Sequence, residues 1–183
     1  MDLDLLDQDL REIFPSTFSN RGNILVVTGQ RDAGKSTYCQ TLIKRYHQPG
    51  RSISGLLSPG RFTGADKTGY YVIDLASETH RLLASLVPGE IEGFHLGHWV
   101  FDTQVLAWGN QKLRQSANAN VLVIDELGFL EFDLQTGWTS AFERLKKKDY
   151  NLAVVVIRPE CIASFTDLGF KFQVKEISAQ LPR

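Results

Sequence analysis

An aliphatic and β-branched run, Ile24-Leu25-Val26-Val27-Thr28, leads directly into Gly29-Gln30-Arg31-Asp32-Ala33-Gly34-Lys35-Ser36, a G-x-x-x-x-G-K-S pattern that constrains this chain more than any other feature. The pattern requires a strand before it and a helix after it. Only that arrangement aims a set of backbone N–H groups and the positive end of a helix at one anion, and the glycines permit the tight turn between them. Tyr38, Leu42 and Tyr46 recur at helical spacing downstream, so the following helix is predicted. Gly29, Gln30, Arg31, Asp32, Ala33, Gly34, Lys35, Ser36 and Thr37 are therefore the candidate nucleotide cradle. Lys35 would reach the β- and γ-phosphates, and the Ser36 hydroxyl would complete a Mg²⁺ shell.

A second constellation is Val121-Leu122-Val123-Ile124-Asp125-Glu126, an apolar strand ending in two carboxylates. In open α/β sheets ligands bind at the carboxyl ends of the strands, so Asp125 can hold Mg²⁺ opposite Ser36. Glu126, beside it, is placed to orient and deprotonate the water that attacks the γ-phosphate. A carboxylate at that position argues for a hydrolase over a kinase, whose base lies in an acceptor pocket elsewhere. It also implies that another strand lies between the P-loop strand and the Asp125 strand.

The remaining pattern alternates strands with helices. Ile53 to Ser58 and Tyr70 to Leu75 read as strands around a polar loop from Ser58 to Lys67, which suggests a hairpin beside the nucleotide. Glu78 to Glu92 fits strand or helix equally. Asp102 can cap a helix running to about Ala117, although Gly109-Asn110 interrupts it. Trp138, Ala141, Phe142 and Leu145 follow a helical template, Leu152 to Ile157 reads as a buried strand, Pro159 suits a helix start, and Phe170 to Val174 reads as a last strand. The expected fold class is α/β: a three-layer P-loop fold with a mainly parallel sheet flanked by helices and a β-hairpin insertion after the P-loop helix.

The chain of 183 residues has a formal net charge of −1, which gives no general attraction to nucleic acid or anionic lipid. Lys146-Lys147-Lys148 reads as a solvated helix end. Cys39 and Cys161 form no C-x-x-C pair, so a reduced cytoplasmic setting is expected, with no structural zinc. The start lacks the basic-then-apolar order of a secretory signal, and no stretch is apolar enough to span a membrane. Residues 1–22 are read as an amphipathic segment, with Leu3, Leu6, Leu10 and Ile13 on one helical face, and 23–183 as the nucleotide-binding domain. That leucine face is the candidate site for a protein partner. His95 and His98 lack the companions a metal site needs, and Trp99, Trp108 and Trp138 read as packing residues rather than a base-stacking platform.

Several segments together resemble the cancer-related nucleoside-triphosphatase family, small P-loop proteins of the additional-strand catalytic-glutamate type. They are the P-loop, Ser54-Gly55-Leu56-Leu57-Ser58, Gly69-Tyr70-Tyr71-Val72-Ile73-Asp74-Leu75, Leu96-Gly97-His98-Trp99-Val100 and Asp125-Glu126-Leu127-Gly128-Phe129-Leu130-Glu131. The resemblance runs from about Asn23 to Val174. It implies Mg²⁺-dependent, slow and base-tolerant hydrolysis of ATP, GTP and other nucleoside triphosphates to diphosphate and phosphate. Two segments depart from the family pattern. Leu-Gly-Phe-Leu-Glu stands at Leu127 to Glu131 where Ile-Gly-Pro-Met-Glu is usual, and Ser58-Pro59-Gly60-Arg61 replaces a glutamate-rich stretch before the hairpin arginine.

Phosphoryl transfer also recruits an arginine to the charge building on the γ-phosphoryl oxygens. Arg61, on the predicted loop, is ranked first for its reach, and Arg158, following a buried strand at the sheet's carboxyl edge, second. Arg31, inside the P-loop, is expected to point away from the cradle. Other readings are a small-molecule kinase with an acceptor pocket near Arg61 and Asp66, an accessory protein that uses hydrolysis as a timer on a partner, and a non-catalytic nucleotide-binding module.

Overall fold

Strand β1 (Asn23–Thr28) alternates its side chains between two apolar layers, Ile24 and Val26 into one and Leu25 and Val27 into the other, so it is buried on both faces. The computed structural model describes residues 21–47 and 49–178. The leucine face of Leu3, Leu6, Leu10 and Ile13 lies outside them.

Four strands join β1 in parallel: β2 (Ile53–Leu57), β8 (Val121–Leu127), β9 (Leu152–Ile157) and β10 (Gln173–Glu176), in the spatial order β10-β1-β9-β8-β2. β9 thus separates the P-loop strand from the Asp125 strand, as the adjacent carboxylates implied. Helix α1 (Lys35–Tyr46) covers one face through Tyr38, Cys39, Leu42 and Tyr46. The other face carries α2 (Thr103–Gln115), the single turn α3 (Phe129–Phe132), α4 (Ser140–Lys146) and α5 (Ile162–Asp167), with Val105, Leu113, Trp138, Leu145 and Phe165 in the core. Three layers result. Asp102 caps α2 as its sequence position predicts, Oδ1 accepting from the N–H groups of Gln104 at 2.8 Å and Val105 at 3.0 Å.

Beyond β2 the sheet turns antiparallel through β4 (Asp66–Asp74), β5 (Thr79–Ser85), β7 (Trp99–Phe101) and β6 (Phe94–Leu96), with β3 (Gly60–Thr63) also on β4. Of the ambiguous stretch Glu78 to Glu92, Thr79–Ser85 is therefore strand. The segment Ser58 to Lys67 is a correction: most of it is β3, a turn at Gly64 and the start of β4, because the backbone groups of β3 find partners on β4. The expected hairpin is real and forms the first part of a wider antiparallel wing. The final strand is displaced to Gln173–Glu176, where it pairs with Leu25 to Thr28, while Phe170 and Phe172 pack on Phe165 at 4.7 and 5.3 Å between ring centroids. Among the described residues no helix is long and apolar enough to cross a membrane.

Candidate nucleotide site at the carboxyl edge of the sheet

The P-loop leaves the carboxyl end of β1 and turns into α1 through Gly34, whose φ of 99° is left-handed and therefore suits glycine. Lys35, the first residue of α1, is buried and folds back over the loop. Its Nζ donates to the carbonyl oxygens of Gly29 at 2.8 Å and Gln30 at 3.0 Å. Gln30, Arg31, Asp32 and Thr37 are exposed, and Ala33, Gly34 and Ser36 are half-buried. Arg31 points outward, its side chain 72% exposed and 3.7 Å from Asp32.

Asp125 lies near the carboxyl end of β8 and is buried. Burial, together with the charge of Glu126, raises its pKa to about 7, against hydrogen bonds from the Ser58 N–H and the Ser36 hydroxyl and the charge of Lys35. The Ser58 N–H reaches Oδ2 at 3.2 Å, and the Ser58 hydroxyl donates to the Asp125 carbonyl oxygen. Ser36 and Asp125 therefore lie near enough to interact, although β9 separates their strands in the sheet. The ladder between β8 and β9 shifts after Ile124, and Glu126 emerges half-buried at the sheet edge.

There Glu126 meets Arg158, which follows β9. Arg158 Nε donates to Glu126 Oε1 at 2.5 Å. Burial lowers the guanidinium's affinity for its proton, but the hydrogen bond and charge of Glu126 outweigh that and raise its pKa.

Arg61 requires a correction of place. It is on β3 rather than on a loop, and its side chain is already engaged: Nη1 and Nη2 donate to Glu90 at 2.7 and 2.8 Å, and Nη2 also reaches the Thr68 carbonyl and the Ser85 hydroxyl, each at 3.2 Å. The Arg61 hydrogen bond, and then that of Ser85, pull the Glu90 pKa down to about 2. The structure thus brings Lys35, Ser36, Asp125, Glu126 and Arg158 to one edge and ties Arg61 into the wing.

Two residues went unremarked as site members. Glu131, buried, accepts from the backbone N–H groups of Gly128 and Trp138, both at 2.8 Å, and so ties together the ends of the loop that follows Glu126. Burial raises its pKa to about 7 against those hydrogen bonds. The signal was there: a carboxylate in an otherwise apolar turn. Lys67, at the start of β4, donates to Asp32 of the P-loop, a contact that no local pattern announces.

Comparison with known proteins agrees with this architecture. A family model described as NTPase matches residues 24–177. Curated relatives named nucleoside-triphosphatase THEP1 include that of Methanothermobacter thermautotrophicus, 29% identical over 109 residues, 58% of this chain and 61% of the relative. That of Methanocaldococcus jannaschii is 23% identical over 147 residues, 79% of this chain and 84% of the relative. The chain thus spans about three fifths of the first relative and most of the second. Among solved structures, the crystal structure of THEP1 from the hyperthermophile Aquifex aeolicus matches with a TM-score of 0.58 at 16% identity, over 86% of this chain and 90% of that one. The solution structure of a human cancer-related nucleoside triphosphatase matches with a TM-score of 0.60 at 21% identity, over 85% and 88%. These two likenesses show the fold.

Proposed function

This chain belongs to the NTPase family, and from that premise we propose that it hydrolyses nucleoside triphosphates to diphosphate and phosphate, slowly and with little preference for the base. The observation that carries the reading is the Glu126–Arg158 pair at the sheet edge beside Asp125, whose charged form is favoured by the Ser36 hydroxyl of the P-loop helix from two strands away. No single local motif makes that arrangement.

The donors suit Mg²⁺. A hydroxyl and a carboxylate are hard oxygen ligands, and two from the protein are what this ion accepts while keeping waters and phosphate oxygens around it. A buried carboxylate whose burial raises its pKa gains most from a nearby cation. Bound between Ser36 and Asp125, the ion would neutralise charge on the β- and γ-phosphates.

The remaining work falls to this chain's own side chains. The loop N–H groups and Lys35 hold the triphosphate and set its terminal phosphorus at the sheet edge. Glu126 accepts a proton from the attacking water as oxygen–phosphorus bonding develops, and the β–γ bridging bond breaks to release diphosphate. Arg158 holds the Glu126 carboxylate in place, and its fork stands at the sheet edge where charge would build on the transferring group.

The test is a panel of nucleoside triphosphates incubated with Mg²⁺, with and without candidate phosphoryl acceptors, followed by product identification. Phosphate and diphosphate without an acceptor are expected. Acceptor-dependent diphosphate would overturn the hydrolase in favour of a kinase, and activity only with an added protein would favour a partner-regulated timer.

A further inference from the structure

Of the nine residues of β4, Ile73 and Asp74 pair with β2, while Asp66 to Tyr70 carry β3. β2 and β3 lie along the same side of β4, so the β3–β4 hairpin overhangs the carboxyl edge where the P-loop sits. Lys67 stands on that overhang. Its Nζ is 2.5 Å from Asp32 Oδ1, and its side chain is 20% exposed. The rings of Phe62 and Tyr70 flank the ammonium, with centroids at 5.7 and 5.4 Å.

A phosphate cradle works by presenting positive potential, and a carboxylate in its middle opposes that. Asp32 is such a carboxylate. The Lys67 hydrogen bond outweighs burial and, with the charges of Lys67, Arg31 and Lys35, lowers its pKa, so it stays ionised. Deprived of Lys67, Asp32 would keep as its nearest counter-charge only the exposed Arg31 guanidinium, 3.7 Å away, and the loop would offer a triphosphate a less compensated negative charge.

We propose that Lys67 is an affinity-determining positioning residue of the nucleotide site, delivered by the β3–β4 hairpin to neutralise Asp32, so that hairpin docking and triphosphate retention are coupled. The inference rests on the nucleotide-site reading above. Lys67 acts through Asp32, and the coupling is reciprocal: whatever holds the hairpin down tightens the nucleotide, and bound nucleotide holds the hairpin down.

The experiment is a double-mutant cycle on the full chain, reading the Kd of a non-hydrolysable nucleoside triphosphate analogue at low and high salt. Lys67→Met should weaken binding roughly two- to fivefold at low salt, the range for a partly exposed ion pair, and the loss should shrink at high salt. Asp32→Asn should tighten binding. The double variant should return to within about twofold of the native protein, because the charge that Lys67 compensates is gone. Native-like binding by Lys67→Met, or a double variant as weak as Lys67→Met alone, would overturn the proposal. Thermal unfolding checks that each variant folds. Should Lys67→Met not fold, Asp32→Asn decides alone, since unchanged or weaker binding by that variant contradicts the idea. Lys35→Ala runs in parallel: loss of binding there with a native-like Lys67→Met defeats only this inference, whereas retained binding by Lys35→Ala defeats the nucleotide-site reading itself.

Discussion

Arg158 Nε lies 2.5 Å from Glu126 Oε1, joining the ends of two neighbouring parallel strands at the edge where the P-loop opens. Arg61, by contrast, spends its fork on Glu90, Thr68 and Ser85 inside the wing.

Arg158→Ala should therefore slow turnover on the order of 10²-fold or more while leaving most ground-state triphosphate affinity, and Arg158→Lys should recover little because an ammonium does not reproduce the planar fork. Arg61→Ala should lower the melting temperature and spare turnover. Steady-state kinetics and thermal melts on both variants check the contrast; slow turnover in Arg61→Ala with a normal Arg158→Ala reverses the assignment.

Glu126→Gln keeps the shape of the side chain and removes its basicity. Binding of triphosphate with Mg²⁺ should persist while hydrolysis falls on the order of 10²-fold, the usual contribution of a positioned general base. Lys35→Ala should instead weaken binding, of triphosphate more than diphosphate. Single-turnover kinetics beside direct titration separates the two.

Asp125 and Glu131 both have pKa values raised to about 7, above their unfolded values. Between about pH 4 and pH 7 these two carboxyls hold more protons in the folded ligand-free protein than in the unfolded chain, so their contribution to stability should fall as pH rises through that window and level off above it, opposite in sign to that of Glu90. Denaturant titrations across the range check the sign. Glu131→Gln should flatten part of the slope; a slope unchanged by that variant would contradict the buried-carboxyl origin.

Gly109, in mid α2, lies where an added Cβ would stand 2.3 Å from the Trp138 ring. Gly109→Ala gains about 1 kcal/mol of helix propensity but overpacks the contact, a change that typically costs about 1–3 kcal/mol. The variant should be no more stable than the native chain in chemical denaturation, and helix propensity alone would predict the opposite.

The central elements of this candidate site are legible in the sequence. The P-loop and the Asp125-Glu126 strand end are local patterns: spacing within a few residues decides where a backbone turns, which residue starts a helix and which carboxylate leaves a strand first. The α/β class followed from the alternation of buried strands and helices, which admits few arrangements, and the intervening strand from the adjacent carboxylates Asp125 and Glu126.

Only the tertiary structure decided the rest. Arg61 sits beside polar and glycine residues that read as loop, and it became strand because β4 supplied partners for its backbone. Gly109-Asn110 weakened α2 as a sequence, yet Trp138 fills the space the glycine leaves, and Asn110 bridges the Leu106 and Gly137 carbonyls at 3.0 and 2.6 Å. Lys67 and Asp32, or Arg158 and Glu126, are more than thirty residues apart. By itself the sequence determined which residues can do chemistry, because that depends on type and short-range spacing; which of them meet was decided by strand order and by one strand overhanging another, properties that exist only once the whole sheet has formed.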